Sequence, residues 1–128
     1  MTSKQLIELA GKARENAYAP YSGFAVGAAV LCADGSIFCG CNVENASYTP
    51  TCCAERVAIF KAVSEGHREF VSIAIVGGKT GENVVDRCFP CGVCRQVMSE
   101  FCSPKTKVIY SDETETTLEE LLPNCFSL

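Results

Sequence analysis

What this chain has little of narrows its possibilities first. Basic residues are outnumbered, 11 Lys and Arg against 15 Asp and Glu, for a formal net charge of -4. They are also dispersed along the chain. A protein that grips a nucleic-acid backbone needs a clustered basic face, so no nucleic-acid partner is expected. No apolar run approaches the roughly 20 residues that cross a bilayer, so no membrane partner is expected either. The opening Met1-Thr2-Ser3-Lys4-Gln5-Leu6 has no apolar h-region and no cleavage pattern, which argues against export. Histidine is nearly absent. The one copy, His67, lies beyond the helix-stopping Gly66 and reads as a surface residue.

Cysteine is what the chain has in excess, with 10 among 128 residues. Without export these are expected to persist as thiols in the cytoplasm, where Cys-x-x-Cys reads as metal-binding or redox-active. A chain this short has room for one core, so residues 1–128 are expected to form a single catalytic domain. With 48% apolar and 20% charged residues the composition is that of a folded domain.

Periodicity predicts a helix over about Thr2 to Tyr18, with Leu6, Leu9, Ala10, Ala13 and Ala17 on one side and Ser3 as cap. Pro20 stops it. Phe24 to Cys32 reads as a strand buried on both faces. Ala33-Asp34-Gly35-Ser36 is a hairpin signal, and a second, antiparallel strand follows over Ile37 to Val43. After an irregular polar segment through Thr51, a helix is expected from Cys53 to Ser64, then a strand from Phe70 to Val76. Lys79 to Phe89 reads as a loop. Pro90 pre-sets a helix to Phe101, followed by a strand over Lys107 to Tyr110 and a helical turn or two over Thr117 to Leu122. This order predicts an α/β fold, a three-layer α/β/α sandwich with a mixed sheet. Helix-connected strands should be parallel and their crossovers right-handed.

Two motifs carry chemistry: Cys53-Ala54-Glu55-Arg56 and Pro90-Cys91-Gly92-Val93-Cys94. Cys91 and Cys94 are three apart and share a helix face. Cys53 and Glu55 diverge by about 200° within a regular helix. Both reach one site only if Cys53 sits where the helix begins. Three thiolates and an open position suit a catalytic zinc. They leave a formal charge of -1, which two helix N-termini and Arg56 would offset. Cys-x-x-Cys alone also fits a redox pair, and Cys52 or Cys88 could close a structural four-cysteine site. Glu55 favours catalysis, because a structural zinc needs no carboxylate beside a ligand. The other seven cysteines read as small buried apolar residues.

With these motifs assembled, the chain resembles the cytidine deaminases, specifically the short, three-cysteine, zinc-dependent class. Tyr21 to Ala29, Asn42 to Tyr48, Cys53 to Arg56 and Pro90 to Gln96 match the family's blocks in order, and the Phe126 tail extends the match. The resemblance implies one Zn²⁺ per subunit on Cys53, Cys91 and Cys94. It also implies hydrolytic deamination of cytidine and 2'-deoxycytidine, with Glu55 shuttling protons from the attacking water to N3 and the leaving amine. It implies that Asn42 and Glu44 hold the ribose, that Phe24 walls the nucleoside and that Ala54 offers backbone groups to the base. In the family's homotetramer, residues like Tyr48 and Phe126 reach a neighbouring subunit's site. Gln96 and Arg95 are left between bracing the thiolates and serving an interface. A deaminase of a modified nucleoside, such as a blasticidin-type antibiotic, and a non-catalytic zinc-stabilised module are the rival readings.

Overall fold

The computed structural model describes residues Met1–Leu128. Helix α1 spans Ser3–Arg14, strands β1 and β2 span Phe24–Cys32 and Ile37–Cys41, and α2 spans Ala54–Ser64. Strand β3 runs Phe70–Lys79, α3 Gly92–Phe101, β4 Cys102–Tyr110, β5 Glu115–Thr117 and α4 Leu118–Leu121. The five strands form one mixed sheet in the order β2-β1-β3-β4-β5. β1 is antiparallel to both β2 and β3, so β2 and β3, joined by α2, run the same way. β3 and β4, joined by α3, pair parallel, as a helical crossover requires.

Alternation along each central strand sorts the core into two layers. Ala28, Val30, Ile73, Ile75, Val108 and Tyr110 face the side covered by α2, α3 and α4. Ala29, Ala74, Val76 and Ile109 face the opposite side, where Leu6 and Ala10 of α1 pack. Period-2 side-chain alternation on strands with both faces covered gives the continuous apolar runs read in the sequence. α2 lies so close to β2 that a Cβ on Gly40 would stand 2.6 Å from the Ala58 nitrogen and 2.8 Å from the Ala54 oxygen. That approach fixes where the first turn of α2, and its neighbour Cys53, sits over the sheet.

Several boundaries differ from expectation. α1 is capped by Thr2, not Ser3, through a reciprocal box with Gln5, and it ends at Arg14 instead of Tyr18. Arg14 anchors that end by donating to the carbonyls of Ala25 (2.8 Å) and Lys79 (2.9 Å). β2 stops at Cys41 because Val43 leaves β1 and bridges Tyr18 and Cys52 instead. β3 continues to Lys79, which pairs with Phe24, because glycines 77 and 78 sit in the ladder instead of ending it. α3 begins at Gly92, β4 starts already at Cys102, and the short β5 pairs with β4 without an apolar pattern to announce it. No helix is long and apolar enough to cross a membrane.

Candidate active site

The thiols of Cys53, Cys91 and Cys94 converge at the starts of α2 and α3. Cys53 is the N-cap of α2, with φ -71° and ψ 155°. Cys91 is the N-cap of α3, with φ -71° and ψ 170°. Both residues are extended, and the helices begin immediately after them. This is the departure from helical geometry that lets Cys53 and Glu55 serve one place. Cys94 follows Cys91 by one turn and is fully buried.

The three sulfurs lie within 4.8 Å of one another, and the Cys53 and Cys91 sulfurs are 3.8 Å apart. Two thiolates at about 2.3 Å from a tetrahedral zinc are separated by about 3.8 Å, so the spacing fits that ion. Neither Cys52 nor Cys88 joins this sulfur group, so a four-cysteine closed site does not form.

The electrostatics match a cation site. Arg56 donates from Nη2 to the Cys53 sulfur at 3.3 Å, one turn along α2. Hydrogen bonding from Cys94, with further help from Arg56 and Cys91, holds the Cys53 thiol down at about 5 against the effect of burial. The Cys94 thiol is driven up, first by its bond to Cys53 and then by burial. A divalent cation bound by all three sulfurs would displace the thiol protons that remain. Burial weakens the Arg56 charge, but Cys53 and Cys94 outweigh that and raise its pKa. The Arg56 Nε is buried with no partner.

Glu55 is 4% exposed. Burial pushes its carboxyl up to about 7, where a group can both accept and return a proton near neutrality. Cys88, read in the sequence as core filler, feels the charges of Glu55 and Cys53, though burial is the larger reason its thiol rises to about 11. Cys88 and the Phe24 ring close over Gly77, where an added Cβ would stand 2.8 Å from the Cys88 sulfur and 2.9 Å from the ring. A side chain at residue 77 would therefore push the Phe24 ring out of place. The Gly77-Gly78 pair reads in the sequence as a strand stop and does not signal this contact.

The polar residues ahead of α2 are deeply committed. Asn42 is 9% exposed. Its Oδ1 accepts from the Val26 N–H at 2.9 Å and its Nδ2 donates to the Phe24 carbonyl at 2.8 Å. The amide thus fixes the first residues of β1, and it retains one donor and one acceptor site beyond these bonds. Asn42 and Glu44 lie past the end of β2, not within it. Glu44 Oε1 accepts from the N–H groups of Tyr21 (2.9 Å) and Ser22 (3.0 Å), and Oε2 accepts from the Ser22 hydroxyl. The Ser22 bonds hold its carboxyl below the usual carboxylate range. Tyr21 and Ser22 are absent from the sequence-based set. The turn at Gly23, with φ +67°, aims their N–H groups at Glu44.

Glu44 lines a hollow of about 290 Å³ with Tyr21, Ser22, Asn45, Tyr48 and Thr51. Its walls include none of the three cysteines. The segment carrying Glu44 is nevertheless tied to Cys52, next to Cys53, by reciprocal Val43–Cys52 backbone bonds of 2.9 Å. Ala54 is fully buried as the first residue of α2. Tyr48 and Phe126 are 77% and 69% exposed. Gln96 does not reach the cysteines: it is exposed, and its amide donates to the Ser99 hydroxyl at 3.2 Å. Two residues past Cys94, it points around the helix by about 200°. Arg95 instead ties α3 down, donating to the carbonyls of Pro90 (2.8 Å) and Leu121 (2.9 Å).

Comparison with known proteins agrees with this geometry. Residues 1–111 match the family model described as the cytidine and deoxycytidylate deaminase zinc-binding region. The chain is 49% identical to a cytidine deaminase of Sporosarcina psychrophila, over 99% of this chain and 93% of that protein. It is 52% identical to the cytidine deaminase of Halalkalibacterium halodurans, over 99% and 96%. The crystal structure of cytidine deaminase from Burkholderia pseudomallei superposes with a TM-score of 0.89 at 48% identity, covering 98% of this chain and all of that one. With three thiols spaced for zinc at two helix starts and a buried glutamate beside them, the chain belongs to the zinc-binding cytidine and deoxycytidylate deaminase family.

Proposed function

We propose that this protein is a zinc-dependent cytidine deaminase. It hydrolyses cytidine and 2'-deoxycytidine to uridine and 2'-deoxyuridine with release of ammonia, a step of pyrimidine salvage. The observation that carries the reading is Glu55, a carboxyl buried two residues from a thiol of the metal-competent cluster. A zinc ion on Cys53, Cys91 and Cys94 supplies, when bound, the Lewis acidity that makes a water acidic near neutral pH.

Glu55 takes a proton from the water that adds to C4 of the base. It passes that proton to N3, then takes the remaining proton of the added hydroxyl and gives it to the amine, which leaves as ammonia while C4 becomes a carbonyl, so the carboxylate ends each turnover as it began. Arg56 offsets the excess negative charge of three thiolates through its bond to Cys53. The Ala54 N–H bonds the base edge, a role supported by its lack of a helical partner at the first turn. Phe24 packs against the base, while Asn42 and the ionised Glu44 accept from and donate to the ribose hydroxyls, Glu44 as acceptor. The commitment of Glu44 to Tyr21 and Ser22 supports this role, because it pre-orients the carboxylate. The Gln96 position supports no part in holding the thiolates.

Residues 1–128 act as one catalytic unit, and the assembly is a homotetramer in which Tyr48 and Phe126 complete the sites of neighbouring subunits. Their exposure supports that placement. The ten cysteines stand as free thiols, which supports a cytoplasmic setting. Purified protein incubated with cytidine and with 2'-deoxycytidine should release ammonia and contain zinc. Bound zinc with neither nucleoside turned over would refute the reading. Sedimentation should give a tetramer; monomers at working concentration would remove the role of Tyr48 and Phe126.

A further inference from the structure

The far end of α2 holds a second set of metal-ligating side chains. A sulfur of Cys32, a carboxylate oxygen of Asp34 and an imidazole nitrogen of His67 lie within 4.8 Å of one another. They come from the end of β1, the β1–β2 turn and the connection between α2 and β3. The 11 residues of α2 place roughly 16 Å of helix between this group and Cys53, so the two clusters are separate.

Each side chain is already oriented. The turn fixes Cys32 and Asp34 relative to each other, through Cys32 N–H to Ser36 O at 2.8 Å and Gly35 N–H to Cys32 O at 3.0 Å. Asp34 Oδ1 accepts from the Ser36 N–H at 2.9 Å, leaving Oδ2, which faces His67 Nδ1 at 3.4 Å. The imidazole is half-buried and packs on the Phe38 ring at a centroid distance of 5.0 Å. Gly66, at φ +96°, turns the chain so that the His67 N–H bonds Ala62 O at 3.0 Å. Cys32 presents its thiol from the core side, at 2% exposure.

We propose that Cys32, Asp34 and His67 form a second divalent-cation site, suited to Zn²⁺, that pins the β1–β2 hairpin to the α2–β3 connection. One thiolate, one carboxylate and one neutral imidazole balance the charge of a divalent ion. A mixed sulfur, oxygen and nitrogen set is the donor chemistry of zinc. Three protein ligands leave the fourth tetrahedral position to water. Binding releases the Cys32 thiol proton to solvent, and no electron changes hands.

The chain's single histidine makes the test specific. Tag-free protein carrying its first zinc is dialysed against micromolar Zn²⁺, and bound zinc is counted by elemental analysis. Wild type should hold two zinc ions per chain, and the carbon-bound proton resonances of the one imidazole should shift as the second binds. His67→Gln and Asp34→Asn should each keep the first zinc and bind the second at least about tenfold more weakly. Retention of the first zinc reports that the variants are folded. The proposal is overturned if wild type stops at one zinc, if the second zinc binds while the imidazole signals stay put, or if both variants take it up unchanged.

Discussion

Burying Glu55 costs free energy that an acid on the outer face of the same helix turn would not incur. That cost is consistent with the proton-carrying role proposed for Glu55. Replacing Glu55 by Gln keeps size and shape and removes only the ability to move a proton. Zinc content should therefore stay at the wild-type level while kcat falls by about 10²–10⁴-fold, as measured by metal analysis beside the ammonia assay. Arg56→Ala acts differently. It strips a positive charge from the Cys53 sulfur and should weaken zinc retention or turnover by about 10–100-fold. Competition with a chelator would read that loss directly. The spacing of Cys53 and Glu55 made it legible that Cys53 stands at the helix start, although the helix expected from Cys53 begins one residue later, with Cys53 as its N-cap. Glu44 was legible only in part. Its position was visible, but its bonds to Tyr21 and Ser22 depend on a turn at Gly23 whose dihedrals no pattern announces.

At the scale of elements, α1 does alone on its face what three helices share on the other. Leu6 and Ala10 are its fully buried contacts. Leu6→Ala should cost roughly 2–5 kcal/mol in urea unfolding, with zinc content unchanged in the folded fraction. A cost below about 1 kcal/mol would mean that this layer can collapse around the gap. The long central elements were readable because apolar runs and helical spacing are strong signals. β5 was not, since Glu115, Thr116 and Thr117 carry no apolar alternation and pair only because β4 offers its edge. The end of β2 was misjudged for a related reason: Val43 continues an extended run but changes partners, which composition does not record.

Across the whole molecule, buried thiols give stability an alkaline limit. Burial pushes the Cys102 thiol up to about 12 from an ordinary 9.0. In the unfolded chain it ionises near 9.0, while in the folded protein it stays protonated until well above that. Its contribution is complete below about pH 9 and is lost as pH climbs toward 12, because over that interval the unfolded state binds fewer protons. The Tm of wild type should accordingly fall more steeply between about pH 8 and pH 10.5 than that of Cys102→Ala. Parallel slopes would show that Cys102 does not set the limit.

The two helices that begin at Cys53 and Cys91 have no side-chain cap bond. In an ordinary helix a Ser, Thr or Asp oxygen would quiet the first amides. Here the N-cap side chains are two of the sulfurs proposed to hold zinc, so on that reading loading the ion and securing the first turns of both helices become a single event. The amides of residues 54–57 and 92–95 then work as an internal gauge of metal occupancy. Chelation should speed their hydrogen exchange together, ahead of the central strands, and that gauge can be read without any substrate.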